Sequence, residues 1–106
     1  MQGTKCTPCE AGTKSFVREE AEKMLAEVPD WKLTPDGKKI HRTFKFKDFI
    51  SALNFAQKIG TLAEEEGHHP DIALGWGYCT VNFSTHSIKG LSQNDFIMAT
   101  KVNELH

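Results

Sequence analysis

The 106-residue chain has no apolar run approaching the 18 residues of a membrane-spanning helix, which excludes such a span from the sequence reading. Cysteine is scarce. Cys6, Cys9 and Cys79 are odd in number and too few for a disulfide scaffold. No excess of either charge exists, because 13 Lys+Arg face 14 Asp+Glu and leave a net charge of -1. That balance excludes a generic electrostatic grip on nucleic acid or anionic lipid, since such binding scales with unpaired positive charge. The N-terminal stretch Met-Gln-Gly-Thr-Lys-Cys-Thr-Pro-Cys-Glu lacks the apolar segment of a signal peptide, so the expectation is a cytoplasmic protein. Neither an internal repeat nor a low-complexity tract is present. What remains is ordinary: 39% hydrophobic, 25% charged and 9% aromatic residues, the composition of one soluble domain. A chain of this size buries roughly two-thirds of its extended surface and can hold a single core without metal or disulfide staples.

Residues 1–13 are polar and aperiodic and read as a flexible arm; residues 14–106 read as one domain. Ser15 or Thr13 can cap a first helix carrying Phe16, Val17, Met24, Leu25 and Val28, which Pro29 stops. Trp31 and Leu33, the Asp36-Gly37 turn, then Ile40, Phe44 and Phe46 predict a hairpin over 31–46. From Lys47-Asp48, the residues Phe49, Ile50, Leu53, Ala56, Ile59, Leu62 and Ala63 keep helical spacing up to Glu64-Glu65-Glu66-Gly67. Three glutamates at the negative end of a helix dipole are unfavourable, which implies that something else holds at least one of them. Asp71–Gly75 reads as a weak strand, and Tyr78–Thr85 alternates with Cys79, Val81 and Phe83 on one face. Ser92 caps a final helix, Asp95–Leu105, with Phe96, Ala99, Val102 and Leu105 as its buried stripe. The order α-β-β-α-β-β-α predicts the α+β class, an antiparallel sheet covered by helices.

The residues with chemistry cluster at element ends. His68 and His69 follow the long helix and His86 ends a strand, where side chains can converge without spoiling a core. Adjacent residues in an extended segment point opposite ways, so His68 and His69 have different roles. Glu64, four residues before His68, is placed to orient its imidazole if the helix persists. Imidazoles titrate near neutral pH and suit proton transfer in both directions. Surface or turn histidines are the bland alternative. A second is a catalytic metal site made of Glu64, His68 and His86, although the spacing matches no standard zinc pattern. Cys6-Thr-Pro-Cys9 is a CxxC without a second ligand pair, and Cys79 reads as a small core residue. Lys38, Lys39, Arg42, Lys45 and Lys47 read as the solvated face of the hairpin, except that alternation turns Arg42 inward with Ile40 and Phe44.

Taken together, Glu64-x3-His68-His69-Pro70-x5-Trp76-x9-His86-x8-Asp95 resembles the signature of the pterin-4a-carbinolamine dehydratases. The likeness extends to Trp31, to Phe44 through Phe49, and to Ser84-Thr85-His86 through Gly90-Leu91-Ser92, covering about residues 15–105. Gly67 stands where animal members carry an acidic residue, and Ile72-Ala73 replace a more aromatic pair. The resemblance implies four antiparallel strands with three helices on one face. It implies an enzyme of the carbon-oxygen hydro-lyase type that removes water from 4a-hydroxytetrahydrobiopterin, giving quinonoid dihydropterin for tetrahydrobiopterin recycling. The implied catalytic residues are His68, His69 and His86. His68 and His86 would serve as acid and base and His69 chiefly as a substrate holder. Glu64, Trp31, Trp76, Ser84, Thr85 and Asp95 are the implied substrate-binding set, with Asp95 also able to cap the last helix or fix His86. No cofactor and no metal are implied. A pterin is the implied partner, with self-association into a dimer or tetramer and no direct nucleic-acid contact. Animal relatives also bind a homeodomain transcription factor, a role the microbial-looking arm argues against here. A non-enzymatic interaction module on the same fold is the competing expectation.

Overall fold

A computed structural model describes residues 15–106; the arm over 1–13, with Cys6 and Cys9, lies outside the described residues. The first helix, α1 (Arg18–Leu25), starts later than the Ser15 or Thr13 cap predicts. The reason is tertiary. The Phe16 N–H donates to the Leu91 carbonyl at 2.8 Å, and the Phe16 ring stacks on Phe96 at 6.1 Å, so the preceding segment is held extended. The Glu20 carboxylate instead accepts the Val17 N–H at 3.1 Å and closes the helix start.

The predicted hairpin is shorter on its first side. Strand β1 is only Lys32–Leu33, and β2 is Ile40–Lys45. Thr34 through Lys39 form a wide turn in which Thr34 Oγ and the Lys38 N–H both donate to the Asp36 carboxylate. These bonds, the side-chain one foremost, hold the Asp36 carboxyl below the usual carboxylate range. Asp48 caps α2 (Phe49–Glu66) by accepting the Ser51 N–H at 2.8 Å. Strands β3 (Asp71–Gly75) and β4 (Tyr78–Phe83) follow, then a 3-10 turn at His86–Ile88 and α3 (Gln93–Leu105).

The sheet is antiparallel in the order β1-β2-β4-β3. Its register sets Ile40 opposite Phe83, Arg42 opposite Val81 and Phe44 opposite Cys79, so these side chains share the helix-covered face. That face meets Ala52, Phe55, Ile59 and Ala63 of α2 and Phe96, Ala99 and Val102 of α3, all buried. Full burial of Phe44, Phe83 and Phe96 contributes roughly 1.5–3 kcal/mol each. The predicted α3 stripe is too narrow, because Asn94 through Ala99 are all buried where the helix start is packed on several sides. On the opposite sheet face, His41 pairs with Asn82, Thr43 with Thr80 and Lys45 with Tyr78, a polar surface. No described helix is long and apolar enough to cross a membrane.

Candidate active site

The site is organised by two helix ends. Gly67, in the left-handed conformation at φ 67°, terminates α2, and the His68 N–H turns back to the Ala63 carbonyl at 3.2 Å. The reversal breaks the helical register between Glu64 and His68. Glu64 therefore hydrogen-bonds His69, not His68, which corrects the expected pairing. Both of those side chains are exposed. His68 turns the other way, inward, with 12% of its side chain exposed, and its ring stacks on Phe83 at 6.0 Å.

The start of α3 supplies the partner. Asp95, fully buried, takes His68 Nε2 on Oδ1 at 2.7 Å. Its Oδ2 accepts the Thr85 hydroxyl at 2.8 Å and the Ser92 N–H at 2.9 Å, the latter being half of a capping box. Thr85 and Ser92 hydroxyls also bond each other at 2.7 Å. Asp95 thus caps the helix and fixes a histidine at once, but the histidine is His68 and not His86. A carboxylate only accepts, so His68 Nε2 donates, and in the neutral ring Nδ1 is the nitrogen with the lone pair. The bond to Asp95 and the stacking on Phe83 fix the ring's orientation.

His86 follows Thr85 directly and is exposed. It lines a cavity of about 330 Å³ with Asp36, Lys38, Lys39, Ser84, Lys89 and Gly90. His68 is not among that cavity's lining residues; the two histidines are linked through Thr85 and Asp95. The Thr85 backbone is engaged with Gly90 in both directions, and its hydroxyl bonds Asp95.

The remaining candidates sit elsewhere. Trp31 is buried against Phe44 and Phe83, with its indole N–H donating to Asn103 Oδ1 at 2.8 Å. Trp76 is 73% exposed in the β3–β4 turn. Glu64, His68 and His86 form no metal-binding cluster, and no other such group of His, Cys, Asp or Glu occurs among the described residues. Arg42 reaches Asn103 at 2.8 Å and Asp30 at 3.7 Å, with its guanidinium over the Phe44 ring. Two of the three glutamates ending α2 have cationic or donor partners: Glu64 has His69, and Glu66 faces Lys101 at 4.0 Å. Burial pushes the Cys79 thiol up. Sequence reasoning missed Asn103, the Ser92 hydroxyl and Lys89. Only Ser92, as a cap, left a local signal.

The fold and the histidine–carboxylate pair define a small α+β domain with a positioned imidazole. Residues 14–105 match the model of the pterin 4 alpha carbinolamine dehydratase family, and the chain belongs to that family. It is 57% identical to a protein of Methylococcus capsulatus (Bath) named provisionally as a pterin-4-alpha-carbinolamine dehydratase, over 99% of this chain and 92% of the relative. A relative of the same provisional name in Azoarcus sp. BH72 is 50% identical, over 95% of this chain and 86% of its own. The crystal structure of a transcriptional coactivator/pterin dehydratase from Brucella melitensis superposes with a TM-score of 0.80 at 30% identity, covering 87% of this chain and 98% of that one. A pterin dehydratase-like protein described as a RuBisCO assembly factor in the alpha-carboxysome shares the fold, with a TM-score of 0.62 at 21% identity over 72% of this chain and 88% of its own.

Proposed function

We propose that the chain dehydrates 4a-hydroxytetrahydropterins, serving tetrahydrobiopterin recycling, by histidine acid–base catalysis. The observation that carries this reading is His68 held through Nε2 by buried Asp95 in a chain of this family, an arrangement that leaves Nδ1 to act as base in the neutral ring. Hydroxide is a poor leaving group. His86, as imidazolium, gives its proton to the 4a-hydroxyl while the C4a–O bond breaks and water leaves. Nδ1 of His68 takes the N5 proton, the N5 electron pair forms the N5=C4a bond, and quinonoid dihydropterin results. Proton return from His68 to His86 through solvent resets both groups. Exposed His69, oriented by Glu64, holds the substrate; Trp76 and Ser84 are candidate wall residues. Buried Trp31 acts only through the core.

The test is the initial rate of quinonoid dihydropterin formation, corrected for spontaneous dehydration. His68→Ala and His86→Ala should each slow it about 10²-fold or more, the usual worth of a positioned acid or base. His69→Ala should raise KM more than it lowers kcat, and His41→Ala, on the opposite sheet face, should do little. Folded His68 and His86 variants with wild-type rates would overturn the mechanism.

One observation favours a second reading, an interaction module. Phe49, Ile50 and Leu53 of α2 form an exposed apolar row, and a solved relative is described as a coactivator as well as a dehydratase. We take the row to be where the chain self-associates as a dimer or tetramer in a cytoplasmic setting.

A further inference from the structure

We propose that the cavity beside His86 receives an anionic substituent, so that the preferred substrate is a pterin whose C6 side chain ends in a phosphate or carboxylate. The inference rests on the dehydratase reading for its ring and on the cavity itself for its charge. Lys38 and Lys39 reach the cavity from the β1–β2 turn, and Lys89 reaches it from the loop after β4. Among the described residues none of the three makes an ion pair. Asp36 is the one acidic lining residue; its carboxylate accepts from the Thr34 hydroxyl and the Lys38 N–H and also feels the Lys38 and Lys39 charges, so it offsets one of the three. The lining therefore keeps a surplus of two positive charges in a chain whose net charge is -1.

Three lysines lining one concavity put like charges near each other, and an anion bound among them offsets that repulsion. Lys89 closes the 3-10 turn in the left-handed conformation, φ 52°, with its N–H on the His86 carbonyl at 3.2 Å, and this turn fixes the backbone from which its side chain extends. Ser84 and the His86 imidazole supply hydrogen-bonding groups on the same wall. At about 330 Å³ the cavity is at the small end of ligand sites, room for part of a bicyclic ring with a short tail. A neutral dihydroxypropyl tail would use none of the charge.

The experiment uses oxidised, unreactive pterins and follows binding by their fluorescence. Three ligands differ only in the C6 tail: neutral dihydroxypropyl, carboxylate and phosphate monoester. At low ionic strength the phosphate form should bind the full chain about tenfold more tightly than the neutral form, with the advantage shrinking as salt rises. Carboxylate binding equal to phosphate would show a general anion site; binding of phosphate alone would narrow the class. Lys39→Gln and Lys89→Gln should each reduce the preference about threefold and together abolish it, while Lys58→Gln on α2 should leave it intact. Equal affinity for neutral and anionic tails, or a preference surviving the double variant, would overturn the proposal. The two readings fail separately. If neutral 4a-hydroxytetrahydropterin is turned over without an anion preference, only the anion site is lost. If no carbinolamine is turned over but anionic pterins bind as predicted, the dehydratase reading is lost and the anion site stands.

Discussion

Replacing Asp95 separates its structural role from its role in proton transfer. In Asp95→Ala the Ser92 N–H, the Thr85 hydroxyl and His68 Nε2 all lose their acceptor. The Thr85 hydroxyl keeps Ser92 Oγ, and His68 is open enough for water, so one buried donor is stranded outright and two are weakened. At about 1–3 kcal/mol per stranded buried group, the loss comes to about 3–5 kcal/mol, a large share of a small domain's 5–15. A loss of that size mixes unfolding with any change in rate. Asp95→Asn is the informative change. Its amide oxygen still accepts from Ser92 and Thr85, and the stability cost falls to about 1 kcal/mol, the difference between charged and neutral acceptors. The amide nitrogen then faces His68 Nε2, and two donors cannot face each other. The ring must move its proton to Nδ1, and the lone pair aimed at substrate disappears. The rate should fall about 10²–10⁴-fold, the range of general-base help, or about 2.7–5.4 kcal/mol of barrier. The assay is initial dehydration rate on protein shown folded by thermal melting. The nitrogen shifts of His68 should show the proton exchanged between Nε2 and Nδ1, a signature that a mere cap would not move. A folded Asp95→Asn enzyme with an unchanged rate and unchanged His68 tautomer would refute the reasoning.

Gly67→Ala introduces no clash, since nothing lies within 4 Å of the added carbon, but it places alanine at φ 67°. The cost should be about 1–2 kcal/mol, read as a Tm drop of about 4–8 °C per kcal/mol, with a lower dehydration rate because His68 hangs from this turn. Cys79 should react with a thiol reagent only on unfolding in a Cys6→Ser/Cys9→Ser protein, which should dehydrate within about twofold of wild type if neither thiol is catalytic. Burial raises the Cys79 pKa, so the folded chain keeps a proton that the unfolded chain releases. Stability should therefore fall as pH rises past the ordinary thiol value of 9.0, and Cys79→Ala should lack that increment in urea titrations. Ile50→Asp with Leu53→Asp should turn an oligomer into a monomer by light scattering; a monomeric wild type would remove the self-association reading.

The sequence was most legible where one element decides. The alternation of Tyr78–Phe83, the Asp48 cap and the Gly67 stop need only neighbours a few residues away, and each lies where the pattern predicts. Boundaries shifted where another element intervened: Leu91 and Phe96 hold Phe16 extended, and the Asp36 turn consumes most of the first strand. The histidines stood out as a group by type and by position at element ends. Their partners did not. His68 and Asp95 are 27 residues apart, and Trp31 and Asn103 are 72 apart. Such pairs are set by how the end of one helix meets the start of another, and no periodicity records that angle. Glu64 shows the same limit at short range. Helical spacing pairs it with His68 only if the helix continues, and one left-handed glycine hands it to His69.

A single carboxylate joins the stability of α3 to the chemistry of His68. Oδ2 of Asp95 serves the helix start through Ser92 and Thr85, while Oδ1 serves the imidazole. The two demands are compatible because a helix N-terminus already favours negative charge, so the charge that fixes the histidine is stabilised by the helix it caps. Burial then makes the arrangement rigid. A buried carboxylate with three donors has no alternative set of bonds, and the ring it holds is packed against Phe83. The imidazole is thus aimed by groups whose first requirement is folding. A residue type suited to capping, at the third position of a helix, also fixes the orientation of an imidazole that lies far away in sequence.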